Sequence, residues 1–438
     1  MTSALNFSSS LVVVLLAAAF FASPACSTSQ QALEHPHNKG FRVELKHVDS
    51  GKNLTKFEQI QLGIKRGRQR LQKVNPSVYD SKSAPQILGP ISSGNGIGEF
   101  LLEFKMGTPG VSISAILDTG SDLVWVHCYY RKQNTPFYDP GKSSSYSALS
   151  CSSTLCEALP QVSCGRGCNY FYSYGDHSYT EGLMGTEIFI FGPVFLPKVA
   201  IGCGVDKKDD GFEPGSALVG LGRGPLSLVS QLEESIFAYC VSYAGNTKAG
   251  ILLMGSLASL NIKPNEIKTT PLIRNPSMPS FYYLSLEGIT VGGTTLPIKK
   301  FLALEDGEGG LIIDSGTTVT FLPETVFDPV AKLFTQQTKL TVDSPPSSEL
   351  PLCFKFPMNV DKVGVPELIF HFDGADLKLP VENYIIVDKL KGLLCLAMVS
   401  TKGGLSIFGN FQQQNILVIH DLVKETVSFV PRQCADIR

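Results

Sequence analysis

Charge is scarce in this chain, and so is unbroken hydrophobicity. Only 17% of its 438 residues are Asp, Glu, Lys or Arg, against 43% apolar, which leaves ample material for large cores. The apolar run at 11–22, Leu-Val-Val-Val-Leu-Leu-Ala-Ala-Ala-Phe-Phe-Ala, falls short of the roughly 20 residues a membrane helix needs. The C-terminal Val-Pro-Arg-Gln-Cys-Ala-Asp-Ile-Arg offers no apolar tail for a lipid anchor. Gly-x-Ser-x-Gly is missing, which removes the nucleophile-elbow hydrolases. His-Glu-x-x-His is missing too, which removes the commonest zinc proteases. Cys164-x-x-x-Cys168 has neither the histidines nor the paired Cys-x-x-Cys of a zinc site. No metal and no organic cofactor are expected.

What is abundant points to an all-β protein of two or three folded units. The chain has 41 Gly and 27 Pro among many short β-branched runs, the pattern of strands separated by turns. Small residues Ser23 and Ala25 follow the apolar run at cleavage spacing, so residues 1–25 read as a signal peptide for secretion. Beyond Cys26, beside that cut, ten cysteines remain of 11. An even number in an oxidising compartment implies disulfides, whose connectivity sequence alone does not fix.

The net charge of −2 hides an asymmetry. Cys26–Lys82 carries 11 Lys/Arg against 5 Asp/Glu, a balance of +6; residues 1–25 carry no charge, so the remainder is −8. Within the basic segment, Gly40–Ser50 alternates like a strand. Asn53–Leu71 sets Leu54, Phe57, Ile60, Leu62, Ile64 and Leu71 among Lys and Arg like an amphipathic helix. Such a segment could bind a membrane surface or nucleic acid; ahead of an acidic body it reads better as a detachable propeptide. Asn53-Leu-Thr is a glycosylation sequon, and none without proline follows it. The Pro/Ser/Gly-rich stretch 76–97 reads as a linker.

The sharpest signal is a repeated motif. Ile116–Val126 reads Ile-Leu-Asp-Thr-Gly-Ser-Asp-Leu-Val-Trp-Val, an apolar strand ending in one carboxylate on a Gly turn. About two hundred residues later, Gly310–Leu322 reads Gly-Leu-Ile-Ile-Asp-Ser-Gly-Thr-Thr-Val-Thr-Phe-Leu. One such motif would be an ordinary solvated turn. Two, each followed by a later partner (Ala-Leu-Val-Gly-Leu-Gly at 217–222 and Leu-Ser-Ile-Phe-Gly at 405–409), form an internal repeat on the scale of a lobe. Two carboxylates at ~3 Å repel by about 5–6 kcal/mol at an effective dielectric of ~20, which separates their ionisations by roughly 4 pKa units. Over an acidic range such a pair holds one proton. Its ionised member takes a proton from water while its protonated member polarises a carbonyl.

With these motifs the chain, from about residue 40 to its end, resembles the pepsin-like aspartic endopeptidases and, within them, the plant nepenthesin-like group. The resemblance implies a bilobal all-β fold with a few short helices and a central cleft, made as a zymogen, with Asp118 and Asp314 catalytic. Gly120 and Gly316 would let backbone amides approach the carboxylates. Thr119 and Ser315 would bond across the two loops, and Ser121 and Thr317 would donate to the outer carboxylate oxygens. Asn169–Gly182 reads as a hairpin and is similar to the family's flap. Its tip would be Tyr174, Gly175 and Asp176, with Trp125 placed to bond Tyr174. His177 stands where the related plant enzymes usually have Gly.

The resemblance also implies a propeptide over 26–82, its end falling between 74 and 97, that inhibits its own enzyme. An N-terminal lobe over 98–270 with a Cys-rich insertion at 128–168 would precede a C-terminal lobe over 271–438. Disulfides would join Cys151–Cys168, Cys156–Cys164, Cys240–Cys434 and Cys353–Cys395, leaving Cys128–Cys203 to pair by default. Two further cysteines that the group usually carries just after the first are missing, since Tyr-Tyr-Arg-Lys-Gln-Asn follows Cys128. Polypeptides would be the substrates of a secreted monomer bound to neither nucleic acid nor membrane, with the vacuole as an alternative destination. The rival function is a catalytically silent pepsin-like inhibitor or receptor. In the second lobe, Phe281–Val291 reads as a strand, Gly292-Gly293 as a hairpin turn, and 325–338 as a core-facing helix through Val326, Phe327, Val330, Leu333 and Phe334.

Overall fold

The computed structural model describes residues 40–71, 100–129, 138–174, 178–205, 216–242, 250–258, 262–298, 310–345, 348–357, 363–402 and 406–437. The signal-peptide run, the linker 76–97 and the flap-tip residues Gly175, Asp176 and His177 lie outside them. The fold is all-β with a few short helices, and its two lobes share one sheet. Across that shared sheet run Phe100–Met106, Phe41–His47, Gly250–Met254, Ile236–Val241, Ile416–Asp421, Thr426–Pro431 and Lys268–Ile273, each antiparallel to the next. The lobes meet where Ile236–Val241 pairs with Ile416–Asp421, Phe237 lying opposite His420. Alternation builds this seam: Phe41, Val43 and Leu45 are buried while Arg42, Glu44 and Lys46 are not, the period of a half-buried strand.

The basic N-terminal segment is thus woven into the body. After its strand, the helix Lys56–Leu71 starts at a capping box. Thr55 N–H donates to Glu58 Oε2 (2.8 Å), and Glu58 N–H donates back to Thr55 Oγ1 (3.2 Å). The apolar face presents Phe57, Ile60 and Ile64 to Val319, Phe321, Leu350, Ile386 and Leu393 of the second lobe. Burying three such side chains stabilises the contact by about 5–8 kcal/mol before ordering costs. The edges are polar: Glu349 N–H donates to Gln61 Oε1 (2.6 Å), and the Lys391 ammonium sits 4.8 Å from the Phe57 ring centre.

In the second lobe the helix is Glu324–Thr338, with Phe327, Val330 and Phe334 buried, and Lys339 closes it in the left-handed conformation. Gly292-Gly293 makes the two-residue turn between Leu286–Val291 and Thr294–Pro297, with Gly292 at φ 56°.

Five disulfides form, and two of them correct the expected pairing. The bonds are Cys151–Cys164 and Cys156–Cys168, interleaved instead of nested as Cys151–Cys168 and Cys156–Cys164. The cause is side-chain direction. In the hairpin of Gln161–Cys164 with Cys168–Ser173, Cys164 is exposed and Cys168 is fully buried. Cys156, on the one-turn helix Thr154–Glu157 capped by Ser153, is buried in the same cluster as Cys168. Inner cysteine therefore meets inner, and outer meets outer, at Cα separations of 6.0 and 5.9 Å. The structure also joins Cys128–Cys203, Cys240–Cys434 and Cys353–Cys395.

Candidate active site

Two copies of one supersecondary unit build the site. In the first lobe Val111–Asp118 ends at Asp118 and pairs in parallel with Ala217–Gly220, which also pairs antiparallel with Trp125–Tyr129. In the second lobe Leu311–Ile313 leads into Asp314 and pairs in parallel with Ser406–Phe408, which bridges antiparallel to Thr320–Pro323. The short apolar strands are buried on both sides, which is why they read as unbroken apolar runs. Each ends by pushing one carboxylate into a turn.

The two turns hold their carboxylates with the same bonds. Gly120 N–H donates to Asp118 Oδ1 (3.1 Å) and Gly316 N–H to Asp314 Oδ1 (2.8 Å). The Ser121 hydroxyl donates to Asp118 Oδ2 in a short bond, and Thr317 Oγ1 donates to Asp314 Oδ2 (2.6 Å). The turns then grip each other reciprocally. Ser315 N–H donates to Thr119 Oγ1 (2.9 Å), and Thr119 N–H donates to Ser315 Oγ (3.3 Å). Because Thr119 and Ser315 directly follow Asp118 and Asp314, this clasp brings the two carboxylate turns together at a buried centre, both aspartates being at most 1% exposed. Hydrogen bonds to an ionised carboxylate are the strong kind, and two fixed donors on each leave its orientation little freedom.

The hairpin of Cys168–Ser173 with Tyr179–Phe191 carries Tyr172 and leads into Tyr174, both within electrostatic reach of Asp118. Trp125 Nε1 donates to the Tyr174 hydroxyl (2.7 Å), and burial pushes the Tyr174 phenol well above its ordinary range.

Sequence reasoning missed a polar set behind the second turn. Gln412 Oε1 accepts from both the N–H and the hydroxyl of Thr320 (2.8 Å each). Asn410 Nδ2 donates to the Ser315 carbonyl (3.0 Å), and Gln413 Nε2 donates to the Phe408 carbonyl (2.7 Å) while its Oε1 accepts from Tyr239 (2.6 Å). All three are fully buried. The signal was present as four amides, these three among them, in Asn-Phe-Gln-Gln-Gln just after an apolar strand, a place where buried amides need partners.

Comparison with known proteins agrees with this architecture. Residues 100–256 match the family model described as xylanase inhibitor N-terminal, and 281–431 match xylanase inhibitor C-terminal. Aspartic proteinase nepenthesin-1 of Nepenthes gracilis is 44% identical, covering 97% of this chain and 99% of its own. Aspartic proteinase nepenthesin-2 of the same plant is 43% identical over 97% and 98%. Aspartyl protease family protein 2 of Arabidopsis thaliana is 36% identical over 90% and 85%. Among solved structures, that of edgp superposes with a TM-score of 0.64 at 18% identity, covering 79% of this chain and 94% of that one. Basic 7S globulin from soybean gives 0.60 at 20% identity over 77% and 95%. With identity spanning nearly the whole length of the nepenthesins, the chain belongs to the pepsin-like aspartic proteases, in their plant nepenthesin-like group.

Proposed function

We propose that the protein is a secreted endopeptidase of acidic compartments, made as a zymogen, in which Asp118 and Asp314 share one proton and activate a water. The reciprocal Thr119–Ser315 clasp between two identically bonded carboxylate turns carries this reading. Two acids held alike and side by side become unlike by sharing a proton, which supplies a base and an acid at one pH. Ionised, one takes the proton of a water whose oxygen adds to the scissile carbonyl carbon; protonated, the other bonds the carbonyl oxygen. Extended polypeptides between the lobes are the substrates, with Tyr174, Gly175 and Asp176 closing over them.

Residues 1–25 serve as the signal peptide and 26–82 as the propeptide, with the N-terminal lobe at 98–270 and the C-terminal lobe at 271–438. The propeptide's +6 balance opposes the −8 of the body, so protonating the body's carboxylates weakens the attraction and frees the segment as pH falls. The test uses the secreted full-length chain. Acid treatment should remove the N-terminal segment and produce cleavage of a denatured protein substrate, while untreated protein at pH 7 should be silent. Full activity at pH 7 without processing contradicts the zymogen. A processed, folded protein that cleaves nothing at any acidic pH contradicts the enzyme and favours a binding role.

A further inference from the structure

Asp122 lies four residues after Asp118, is only 7% exposed, and its carboxylate points away from the shared centre into the framework behind it. Oδ1 accepts from Gly224 N–H (2.9 Å), and Oδ2 accepts a short bond from the Ser280 hydroxyl. Those partners lie 102 and 158 residues further along the chain. Arg223, next to Gly224, ties the two together by donating its N–H to the Ser280 carbonyl (3.0 Å). The same framework holds the turn by its backbone: Leu221 N–H donates to the Asp118 carbonyl and Gly222 N–H to the Ser121 carbonyl (2.8 Å each).

The alternating glycines of Gly220-Leu-Gly222-Arg-Gly224 make room for this one residue, Gly222 and Gly224 for its carboxylate and Gly220 for its backbone. A Cβ on Gly224 would lie 2.1 Å from Asp122 Oδ2, and one on Gly222 would lie 2.3 Å from Asp122 Oδ1. A Cβ on Gly220 would lie 2.3 Å from the Asp122 carbonyl. No positive φ is involved; the glycines clear space. Three missing side chains around one buried acid form a built cradle, and a buried carboxylate is too costly to keep without a return.

We propose that Asp122 is a positioning residue. It clasps the Asp118 turn to residues 220–224 and Ser280, and holds a negative charge behind Asp118 that keeps the shared proton on the pair to higher pH. This rests on the proposed Asp118–Asp314 chemistry. The groups facing Asp122 are few. Asp118 is on its own turn, Tyr172 on the hairpin strand Cys168–Ser173 and Tyr282 two residues beyond Ser280; the Arg223 guanidinium is engaged by Glu425 (3.0 Å). Burial pushes the Asp122 carboxyl above the ordinary aspartate range, bonds from Ser280 and Gly224 oppose that, and the Asp118 charge adds to it. Above that raised range the acid is ionised and resists further loss of protons nearby.

The experiment measures kcat and KM of the acid-processed full chain from pH 2.5 to 7 on one peptide. The variants are Asp122→Ala, Asp122→Asn and Ser280→Ala, with Asp118→Asn as the control for the chemistry and thermal unfolding as the control for folding. Asp122→Ala should lose about 30-fold in kcat with KM changed by less than about threefold, as expected when a reacting group is displaced without loss of substrate contacts. Asp122→Asn keeps the shape, so its loss should be smaller, but the alkaline limb of its kcat/KM profile should move about half a pH unit lower because the charge is gone. Ser280→Ala retains the carboxyl but removes one donor that favours its ionised form, so kcat should fall with the limb moving less than in Asp122→Asn. An Asp122→Asn limb that superposes on wild type overturns the charge role. An Asp122→Ala loss fully accounted for by unfolded protein overturns the positioning role. Wild type without activity, or Asp118→Asn with activity, overturns the underlying chemistry and this inference with it.

Discussion

Replacing His420 with phenylalanine should make the protein selectively more stable in acid. His420 sits at the seam of the lobes, fully buried, with the Phe237 ring stacked on it at 4.5 Å and 8° and Tyr282 edge-on at 4.6 Å. Tyr239 lies at 5.7 Å. Among the described residues neither ring nitrogen has a hydrogen-bond partner. Burial, with a smaller contribution from Arg223, pushes its pKa down to about 3. An unfolded histidine titrates at about 6.5. Between those values the unfolded chain binds a proton that the folded chain refuses, so stability falls as pH drops from 6.5 to 3 and levels off below. At pH 4 the loss amounts to about 3 kcal/mol. With an unfolding entropy of ~2.1 cal/mol/K per residue over about 400 residues, that is roughly 4 °C in Tm. Phenylalanine fills the aromatic box and cannot charge. Scanning calorimetry of wild type and His420→Phe at pH 7 and pH 4 should show a Tm gap that widens by this amount in acid. Equal gaps at both pH values would refute the reasoning.

Three further outcomes are expected. Trp125→Phe and Tyr174→Phe each remove the same 2.7 Å bond, so a double-mutant cycle in kcat/KM should give a coupling of about 1 kcal/mol; additive losses would mean the bond does not position Tyr174 for catalysis. Non-reducing digestion that cuts after Leu155 and Arg166 should release peptides joined 151–164 and 156–168, and nested joins would contradict the side-chain directions in the hairpin. Glu425 is bonded by Arg274 and Arg223 and held below the usual carboxylate range, first by the Arg274 bond. Its contribution is present above the unfolded pKa of about 4.5 and lost as pH falls through the lower folded value, so Glu425→Gln should cost under about 1 kcal/mol at pH 7 and less at pH 3. Urea unfolding at the two pH values checks this.

Much of the architecture was legible because its signals are local. Asp-Thr-Gly and Asp-Ser-Gly behind apolar strands, the 3.6-residue period of 325–338 and the Gly292-Gly293 turn each lie within a short stretch. What stayed hidden depends on residues far apart. The interleaved disulfides follow from which face of a hairpin Cys164 and Cys168 occupy, and spacing does not reveal it. Asp122 reads as one more polar turn residue until Ser280, 158 positions away, lies against it. Glu187, in the middle of Tyr179–Phe191, is 1% exposed because the Tyr138 and Ser145 hydroxyls and the Ile188 N–H all donate to it. A strand pattern alone would have put that charge in solvent.

The most direct test of the central claim is the activity of Asp118→Asn and Asp314→Asn, each purified, acid-treated and assayed on the same peptide at the wild-type optimum. An amide nearly matches the carboxylate in shape, so both variants should fold, and neither pair can share a proton. Each should lose at least about a thousandfold in kcat. Either folded variant retaining more than a few per cent of wild-type activity would contradict the account.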